Sequence, residues 1–373
     1  MDEKRNAVFT IGVICSILLA FSIADLIKPD RVFSEAENRV LASRPEFSEE
    51  ALIQGTYTED YETYITDQFV GRDKWIMLKT GTDILLQKKD IRGVYLGEDD
   101  YLIEQHRPED YTAELEEKRL AQLKKLVEKW DAQVMLVPTA DNILKDKLPD
   151  YATYYDQKSF LDKVEERVGE DHYIDVYSAL EEHSEEEIYY RTDHHWTSLG
   201  AFYGYDKWRE RMGYARLIRE IDRRETVTED FLGTLHSRLN LPMEGDKIQY
   251  FTDTNRHPVK VTYDFTIKAD SYYEEKHLDT KNKYAYFLDD NHGLVEIKTQ
   301  RPNGRTLFVI KDSYANCTIP LLAQHYENVY VVDLRYFNAK LFSFMEQYGQ
   351  PGEMDVLVLY NCIHFLEDFK YFE

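Results

Sequence analysis

Three side chains in this sequence have the types that serine-dependent acyl transfer requires: an acid, a base and a hydroxyl. Asp193 and His195 are two positions apart, so in an extended segment the carboxylate can reach the imidazole. A serine hydroxyl needs a base, and the base needs a group that fixes its tautomer. Ser313, which lies 118 positions after His195, can complete such a triad if the fold brings the two residues together.

Ser313 follows the apolar stretch Thr306–Ile310 and opens a predicted helix. Ligands of open parallel sheets bind beyond the carboxyl ends of the strands, and the N–H groups at a helix start can stabilise an oxyanion. The backbone of Tyr314 and the side chain of Asn361, which follows another apolar strand, are therefore candidate oxyanion donors. Ser and Asn are also favoured helix caps, so the same pattern has a purely structural interpretation.

The segment around the two histidines leaves other interpretations open. Arg191 can bind an anionic substrate or form a surface ion pair. Asp193, His194 and His195 offer metal ligands, but adjacent histidines point in different directions and no Cys-x-x-Cys or His-Glu-x-x-His pattern lies nearby. We therefore expect no metal and no cofactor, and we expect His194 to be a structural hydrogen-bonding residue.

Alternating helices and apolar strands must position these residues. Helical spacing over 113–130 precedes the apolar strand Gln133–Pro138, and similar alternation continues to a last strand at Val356–Tyr360. This pattern indicates a parallel sheet flanked by helices, with an antiparallel insertion at about 247–298, where polar and apolar residues alternate. The other predicted elements are helices at 159–168, 197–212, 314–326 and 338–348, and strands at 173–176, 306–310 and 329–332.

Residues 7–24 form an uncharged apolar segment of 18 residues, just long enough to cross a bilayer as a helix. Ser22 and Ala24 also give the small-x-small pattern of a signal-peptide cleavage site, although the length favours an uncleaved anchor. We predict a cytoplasmic head at 1–6, an anchor or signal segment at 7–27, a juxtamembrane helical region at 28–90 and an α/β domain at 91–373. The α/β domain is expected outside the cytoplasm.

The composition is that of a folded protein with no affinity for nucleic acid. The 373 residues are 43% hydrophobic and carry a net charge of −24, and phosphate binding needs clustered Lys and Arg instead. Three cysteines do not make a disulfide scaffold. Cys317 and Cys362 can pair or remain as free buried thiols.

The sequence resembles the DHHW protein family, which is related to the SGNH-like alginate O-acetyltransferases. The resemblance rests on Asp193–Trp196, Lys311–Ala315, Phe33–Arg39 and Asp67–Asp73, and together these motifs cover most of the chain. It implies an SGNH-hydrolase-like α/β fold with Asp193, His195 and Ser313 as acid, base and nucleophile. The acid and base come before the serine, whereas ordinary SGNH esterases have an early serine.

The resemblance also implies a function. We expect a single-pass protein of the cell membrane whose extracytoplasmic domain acts as an O-acetyltransferase or acetylesterase on a cell-envelope or exported polysaccharide. Its implied partners are the polysaccharide acceptor and a membrane-bound O-acyltransferase that supplies acetyl groups. The alternative is a catalytically inert carbohydrate-binding or assembly protein of a polysaccharide-modification complex.

Overall fold

The structure is a computed structural model that describes residues 2–37, 39–218, 221, 223–255 and 257–371. Met1 of the predicted head and Asn38 of the Phe33–Arg39 motif lie outside the described residues. The chain divides into two compact units, of which unit 1 comprises residues 1–88 with 237–242 and unit 2 comprises 89–236 with 243–373. The predicted division at 6, 27 and 90 stays a prediction.

Unit 1 begins with the helix α1, Asp2–Ile27. Its span Lys4–Ile27 is long and apolar enough to cross a membrane, although a signal sequence has the same properties. The remaining elements of unit 1 before residue 89 are β1 (Phe33–Ser34), β2 (Arg39–Val40), α2 (Glu49–Gln54), α3 (Thr56–Gln68) and α4 (Arg72–Leu85). Gly55 and Gly71, with φ of 86° and 69°, make the left-handed turns before α3 and α4, a backbone conformation that glycine adopts without strain.

Unit 2 is an α/β structure. The strands after residue 88 are β3 (Asp90–Ile91), β4 (Val94–Leu96), β5 (Leu102–Glu104), β6 (Gln133–Val137), β7 (Arg224–Phe231), β8 (Asp246–Phe251), β9 (Val259–Tyr263), β10 (Ile267–Ala269), β11 (Leu294–Thr299), β12 (Thr306–Lys311), β13 (Asn328–Asp333) and β14 (Asp355–Asn361). The helices after residue 88 are α5 (Ala113–Trp130), α6 (Ala140–Ile143), α7 (Gln157–Val168), α8 (Tyr177–Glu182), α9 (Ser198–Arg211), α10 (Thr234–Leu239), α11 (Ile319–Leu322), α12 (Leu341–Met345) and α13 (Cys362–Asp368). The last residues of α10, from Ser237, belong to unit 1.

A seven-stranded sheet with the order β10-β9-β11-β13-β12-β14-β6 forms the centre of unit 2. The neighbours β13, β12, β14 and β6 are parallel, and their residues are almost continuously apolar because helices cover the sheet. The covering helix α5 buries Leu120, Leu123 and Val127, which recur at helical spacing. The carboxyl ends of β12 and β14 are neighbours, so Lys311 and Leu359 pair at the same edge.

The antiparallel region predicted at about 247–298 is present: β9, β10 and β11 extend the central sheet on one side with antiparallel pairing, and β8 pairs with β7 in a separate two-stranded sheet. The structure differs from the sequence-based expectations in three places. The predicted strand at 173–176 makes a single bridge, from Tyr173 to Val134. A continuous helix over 314–326 is wrong: the 3₁₀ turn ends at Cys317, and the short α11 begins at Ile319 with Pro320, which lacks an N–H donor, in its first turn. The predicted helix at 338–348 is shortened to α12.

Candidate active site

The three predicted triad residues lie together at the carboxyl edge of the central sheet. Ser313 begins a 3₁₀ turn, Ser313–Cys317, directly after β12. The Nε2 atom of His195 lies 2.8 Å from the Ser313 hydroxyl, and its Nδ1 atom lies 2.6 Å from a carboxylate oxygen of Asp193. The imidazole thus bridges the acid and the hydroxyl, which is the arrangement that activates a serine.

Four hydrogen bonds fix the Asp193 carboxylate. One oxygen accepts from the backbone and the ring of His195, and the other accepts from the backbone and hydroxyl of Thr234, at 2.8 and 3.0 Å. Gly233 makes this close approach possible, because a Cβ atom there would lie 2.3 Å from the Cβ of Asp193. Burial raises the pKa of Asp193, but the charges of His194 and His195 and these hydrogen bonds lower it overall, so the carboxylate is ionised at neutral pH.

Aromatic side chains join the histidine segment to the serine turn. The ring of Tyr284 stacks on His195, with centroids 3.9 Å apart and 15° between the planes, and its hydroxyl donates to the Ser313 carbonyl at 3.1 Å. Trp196 donates its indole N–H to the carbonyl of Tyr314 at 2.8 Å, and the Tyr314 hydroxyl donates to the His194 carbonyl. These contacts fix the position of His195 relative to Ser313.

His194, which we expected to be a structural hydrogen-bonding residue, makes a hydrogen bond within the site. Its Nδ1 atom lies 2.7 Å from the hydroxyl of Thr234, the residue that also binds Asp193. Burial, together with the adjacent charge of His195, lowers the pKa of His194 to about 3, although Asp193 opposes the shift. His194 is therefore neutral at pH 7.

A cavity of about 260 Å³ adjoins the triad. Its walls include Glu104, His106, Asp193, His194, Tyr314 and His364. Burial lowers the pKa of His106, but the nearby Asp141, 2.9 Å away, and Glu104 raise it to about 10. The cavity therefore presents both hydrogen-bond donors and acceptors, which suits a ligand rich in hydroxyl groups.

The DHHW protein family model matches residues 99–332, more than half of the chain. This chain belongs to the DHHW protein family. The family's four-letter name is the sequence of Asp193–Trp196, the segment that supplies the acid and the base of the site. The match also includes Ser313.

Solved structures with a similar fold include a DHHW family protein from Eubacterium siraeum DSM 15702, with a TM-score of 0.61, 25% identity, and coverage of 74% of this chain and 93% of that one. Bacillus cereus PatB1 with a sulfonyl adduct matches with a TM-score of 0.61 and 21% identity, over 76% of this chain and 100% of that one. The O-acetyltransferase domain of Pseudomonas putida AlgJ has a TM-score of 0.45 and 15% identity, over 75% and 93%. No curated protein has a significantly similar sequence. The predicted SGNH-like α/β fold is confirmed.

The two candidate oxyanion donors of this DHHW protein have other hydrogen-bond partners. The Tyr314 N–H donates to the Asp312 carboxylate at 3.0 Å. The Asn361 side chain caps α13: its oxygen accepts from the His364 N–H at 2.8 Å, and its nitrogen lies 2.9 Å from the His364 ring. Both residues line the cavity beside the triad, but an oxyanion role stays a prediction.

Arg191 lies at a different cavity of unit 2. Its guanidinium is 3.3 Å from Glu187 and 4.0 Å from Asp246, and the cavity beside it is lined by Tyr101 and Tyr189 among others. The Asp246 carboxylate also accepts hydrogen bonds from the backbone of Arg191 and from the backbone and hydroxyl of Thr192. The observed partners are those of a structural ion pair, and substrate binding by Arg191 stays a prediction.

The metal interpretation concerns the same side chains as the triad. Ligand atoms of Asp193, His194 and His195 lie within 4.8 Å of one another. Both ring nitrogens of His195 already have partners, Asp193 and Ser313, and His194 is paired with Thr234. A metal ion bound by all three would have to replace at least one of these hydrogen bonds.

Sequence reasoning missed Tyr284, Gly233, Thr234 and Asp246, all of which support the site. None belongs to a local motif, and each reaches the triad segment from a distant part of the chain, such as the 41 positions between Asp193 and Thr234. Cys317 and Cys362 are buried free thiols, so they do not form the disulfide that the sequence left open.

Proposed function

We propose that this DHHW protein is a serine-dependent O-acetyltransferase or acetylesterase that acts on a cell-envelope or exported polysaccharide. The observation that supports the proposal is the continuous contact from Asp193 through His195 to Ser313, with distances of 2.6 and 2.8 Å. A buried acid, base and hydroxyl in this geometry are the parts of a nucleophilic triad.

In the proposed reaction, the Ser313 oxygen attacks the carbonyl carbon of an acetyl ester while Nε2 of His195 takes the hydroxyl proton. Asp193 holds the ring and stabilises its positive charge. In this reaction, backbone N–H groups at the start of the 3₁₀ turn bind the oxyanion; the Tyr314 N–H takes part only after leaving the Asp312 carboxylate, which accepts its hydrogen bond in this structure. His195 then gives the proton to the leaving oxygen, and acetyl-Ser313 remains.

In the second step, His195 takes the proton of a sugar hydroxyl or water as that oxygen attacks the carbonyl carbon of acetyl-Ser313, and His195 then gives this proton to the departing Ser313 oxygen. The reaction is an acetyl transfer when a sugar hydroxyl accepts the acetyl group, and it is a hydrolysis when water accepts it. We infer from the family resemblance that the transferred group is acetyl and that the acceptor is a polysaccharide. The polar cavity beside the triad is consistent with such an acceptor.

We also propose where the protein is located and which partner supplies its acetyl groups. α1 would be a single membrane anchor, unit 2 would lie outside the cytoplasm, and a membrane-bound O-acyltransferase would supply acetyl groups. The length and apolar character of Lys4–Ile27 support the anchor.

An activated acetyl ester tests the chemistry. Full-length protein in detergent should hydrolyse 4-nitrophenyl acetate and show one added acetyl group by intact mass, and Ser313→Ala should lose both signals. Ser198→Ala is the matched control, because Ser198 is also buried in unit 2 but donates to the Gln249 carbonyl. Equal silence of wild type and Ser313→Ala would favour the inert carbohydrate-binding alternative, and equal activity would refute the serine mechanism.

A sulfonyl fluoride gives a second test, since the similar PatB1 structure holds a sulfonyl adduct. The reagent should add once to wild type, at Ser313, and should not add to Ser313→Ala. The His195→Ala protein should react much more slowly, because its serine lacks a base. Equal modification of all three proteins would show that Ser313 is not activated.

A further inference from the structure

Segment 28–88 of unit 1 has apolar side chains on its surface and polar side chains inside. Among its described residues, Leu41 is the buried apolar side chain, whereas the buried polar ones are Ser34, Asp67, Gln68, Thr80 and Asp83. The described part of this segment exposes thirteen large apolar side chains, compared with four in the described part of the larger unit 2. A protein surface in water rarely has such a distribution, so part of this surface faces another medium or a partner.

The helix α4 shows most clearly that apolar side chains are exposed and polar ones are buried. Thr80 and Asp83 are its buried residues. Its exposed apolar residues are Trp75, Met77, Leu78, Ile84 and Leu85. At 3.6 residues per turn these five side chains and Gly81 occupy one continuous half of the helix. Two polar residues lie on the same half: the long side chain of Lys74 can extend its charge to water, and the Thr82 hydroxyl donates to the Leu78 carbonyl.

Contacts with α1 place the start of α4 beside the candidate membrane span. Phe21, inside that span, stacks on Phe69 at 5.8 Å between centroids and contacts the ring of Trp75 at 5.9 Å. Four residues further along α1, the Asp25 carboxylate accepts from the Val70 N–H at 2.7 Å. The polar end of the span therefore lies near Asp25, with the Phe69 and Trp75 rings on its apolar side.

We propose that α4 lies along the membrane surface, with the apolar half that contains Trp75, Leu78 and Leu85 inserted among the lipids. Phe21 is six residues before the end of α1, or about 9 Å along the helix axis, a depth at which membrane-interface tryptophans occur. An amphipathic helix inserts its apolar side to about 5–10 Å in such a position. This inference needs an uncleaved α1 and does not depend on the acyltransferase proposal.

A lipid surface fits better than a protein partner because the apolar side of α4 is continuous with the span itself. Phe21 of the span contacts both Phe69 and Trp75, so the apolar sides of α1 and α4 adjoin at these rings. A second copy of the chain or a membrane-embedded partner would also cover the apolar half of α4. Fluorescence quenching by lipid and by an aqueous quencher distinguishes these occupants.

Tryptophan fluorescence can test the position of α4. Trp75 is 46% exposed, and Trp130, Trp196 and Trp208 are buried, so the difference between wild type and Trp75→Phe isolates one indole. The full chain would be reconstituted in phosphatidylcholine vesicles with and without 6,7-dibromo-lipid. In the Trp75→Phe background, Leu85→Trp places the probe at the far end of α4, about 15 Å from position 75.

We expect dibromo-lipid to lower the emission of the Leu85→Trp probe by about twofold or more, since a bromine quencher acts at the depth of an inserted helix. Aqueous acrylamide should leave this emission nearly unchanged. Lys79→Trp in the same background is the matched control, because the Lys79 side chain is 72% exposed and lies away from the apolar half. Its emission should respond to acrylamide and not to dibromo-lipid.

Three results would overturn the proposal. Quenching by lipid at position 75 alone would show that α4 leaves the membrane after its first turn. Quenching of Leu85→Trp by acrylamide instead of lipid would place the helix in water. Protection of Leu85→Trp from both quenchers would show that another copy of the chain covers it. Intact mass of the reconstituted protein verifies that α1 is retained.

Discussion

In unit 2 the side chains shielded from water are mainly apolar, whereas in segment 28–88 of unit 1 they are mainly polar. The parallel strands of unit 2 bury residues such as Val358 and Leu359 completely, and the polar triad is confined to the carboxyl edge of the sheet. Unit 1 instead contains a partly buried ionic cluster in which the buried Asp67 accepts from Arg39 and Glu37 pairs with Arg72.

This difference shows two uses of buried charge. In unit 1, removing paired charges from water costs free energy, so the cluster fixes the geometry of β2, α3 and α4 more than it stabilises them. In unit 2, burial of the apolar core stabilises the fold. The hydrogen bonds to Asp193 and His195 instead orient the side chains of the candidate active site.

The largest expected effect is on the chemistry of unit 2. Asp193→Asn should lower acetyl-ester hydrolysis by about 10⁴-fold, because an amide no longer holds His195 in the active tautomer. When the amide oxygen keeps the two donors of Thr234, the amide nitrogen faces His195 instead, and the backbone N–H of His195 loses its acceptor at a cost of about 1–3 kcal/mol. Steady-state kinetics and thermal unfolding measure the two effects, and a variant with full activity would remove Asp193 from the mechanism.

Matched leucine truncations test the contrast in packing. Leu123→Ala, at a fully buried site of α5, should reduce the free energy of unfolding by about 2–5 kcal/mol, since it leaves a cavity in the core. Leu78→Ala, at a site 59% exposed in α4, should change stability in detergent by less than about 0.5 kcal/mol. Hydrogen-exchange mass spectrometry can follow both helices separately. Similar losses at both sites would contradict the proposed difference between the units.

Acid should weaken unit 1 through its buried carboxylates. The hydrogen bond from Arg39 lowers the pKa of Asp67, although burial opposes the shift and the Ala42 N–H adds to it. A group with a lowered folded pKa stabilises the fold above its unfolded value of about 3.9, and this stabilisation is lost as the pH falls through the folded pKa. The protection of α3 and α4 against hydrogen exchange, relative to the intrinsic exchange rate at each pH, should therefore fall from pH 5 to pH 3, and Asp67→Asn should make that change smaller. An unchanged pH response in the variant would assign the effect to other groups.

The fold of unit 2 could be predicted well because its main signals are local. Runs of apolar residues predicted β6, β12 and β14. The two-residue spacing of Asp193 and His195 predicted that their side chains project to the same side of the backbone. The interruption at Pro320 was readable in principle, but the apolar residues around it hid the break. The single bridge at Tyr173 could not be foreseen, because strand pairing depends on a partner distant in sequence.

The supporting residues of the site were not predictable for the same reason. Gly233 leaves room for Asp193, and Asp246 fixes Thr192 from 54 positions away, but neither position has a local pattern that indicates a role. Unit 1 posed a different problem: its helical spacing was visible, but spacing alone does not say whether the apolar side faces a core or lipid.

The smallest expected effect concerns Tyr284, whose ring and hydroxyl contact different members of the triad. Tyr284→Phe keeps the stacking on His195 and removes the hydrogen bond to the Ser313 carbonyl, so kcat/KM should fall by no more than about tenfold. Tyr284→Leu also removes the stacked ring and should lose more activity than Tyr284→Phe. If the two variants have equal activity, stacking does not position the base, and the hydrogen bonds of Asp193 alone account for the orientation of His195.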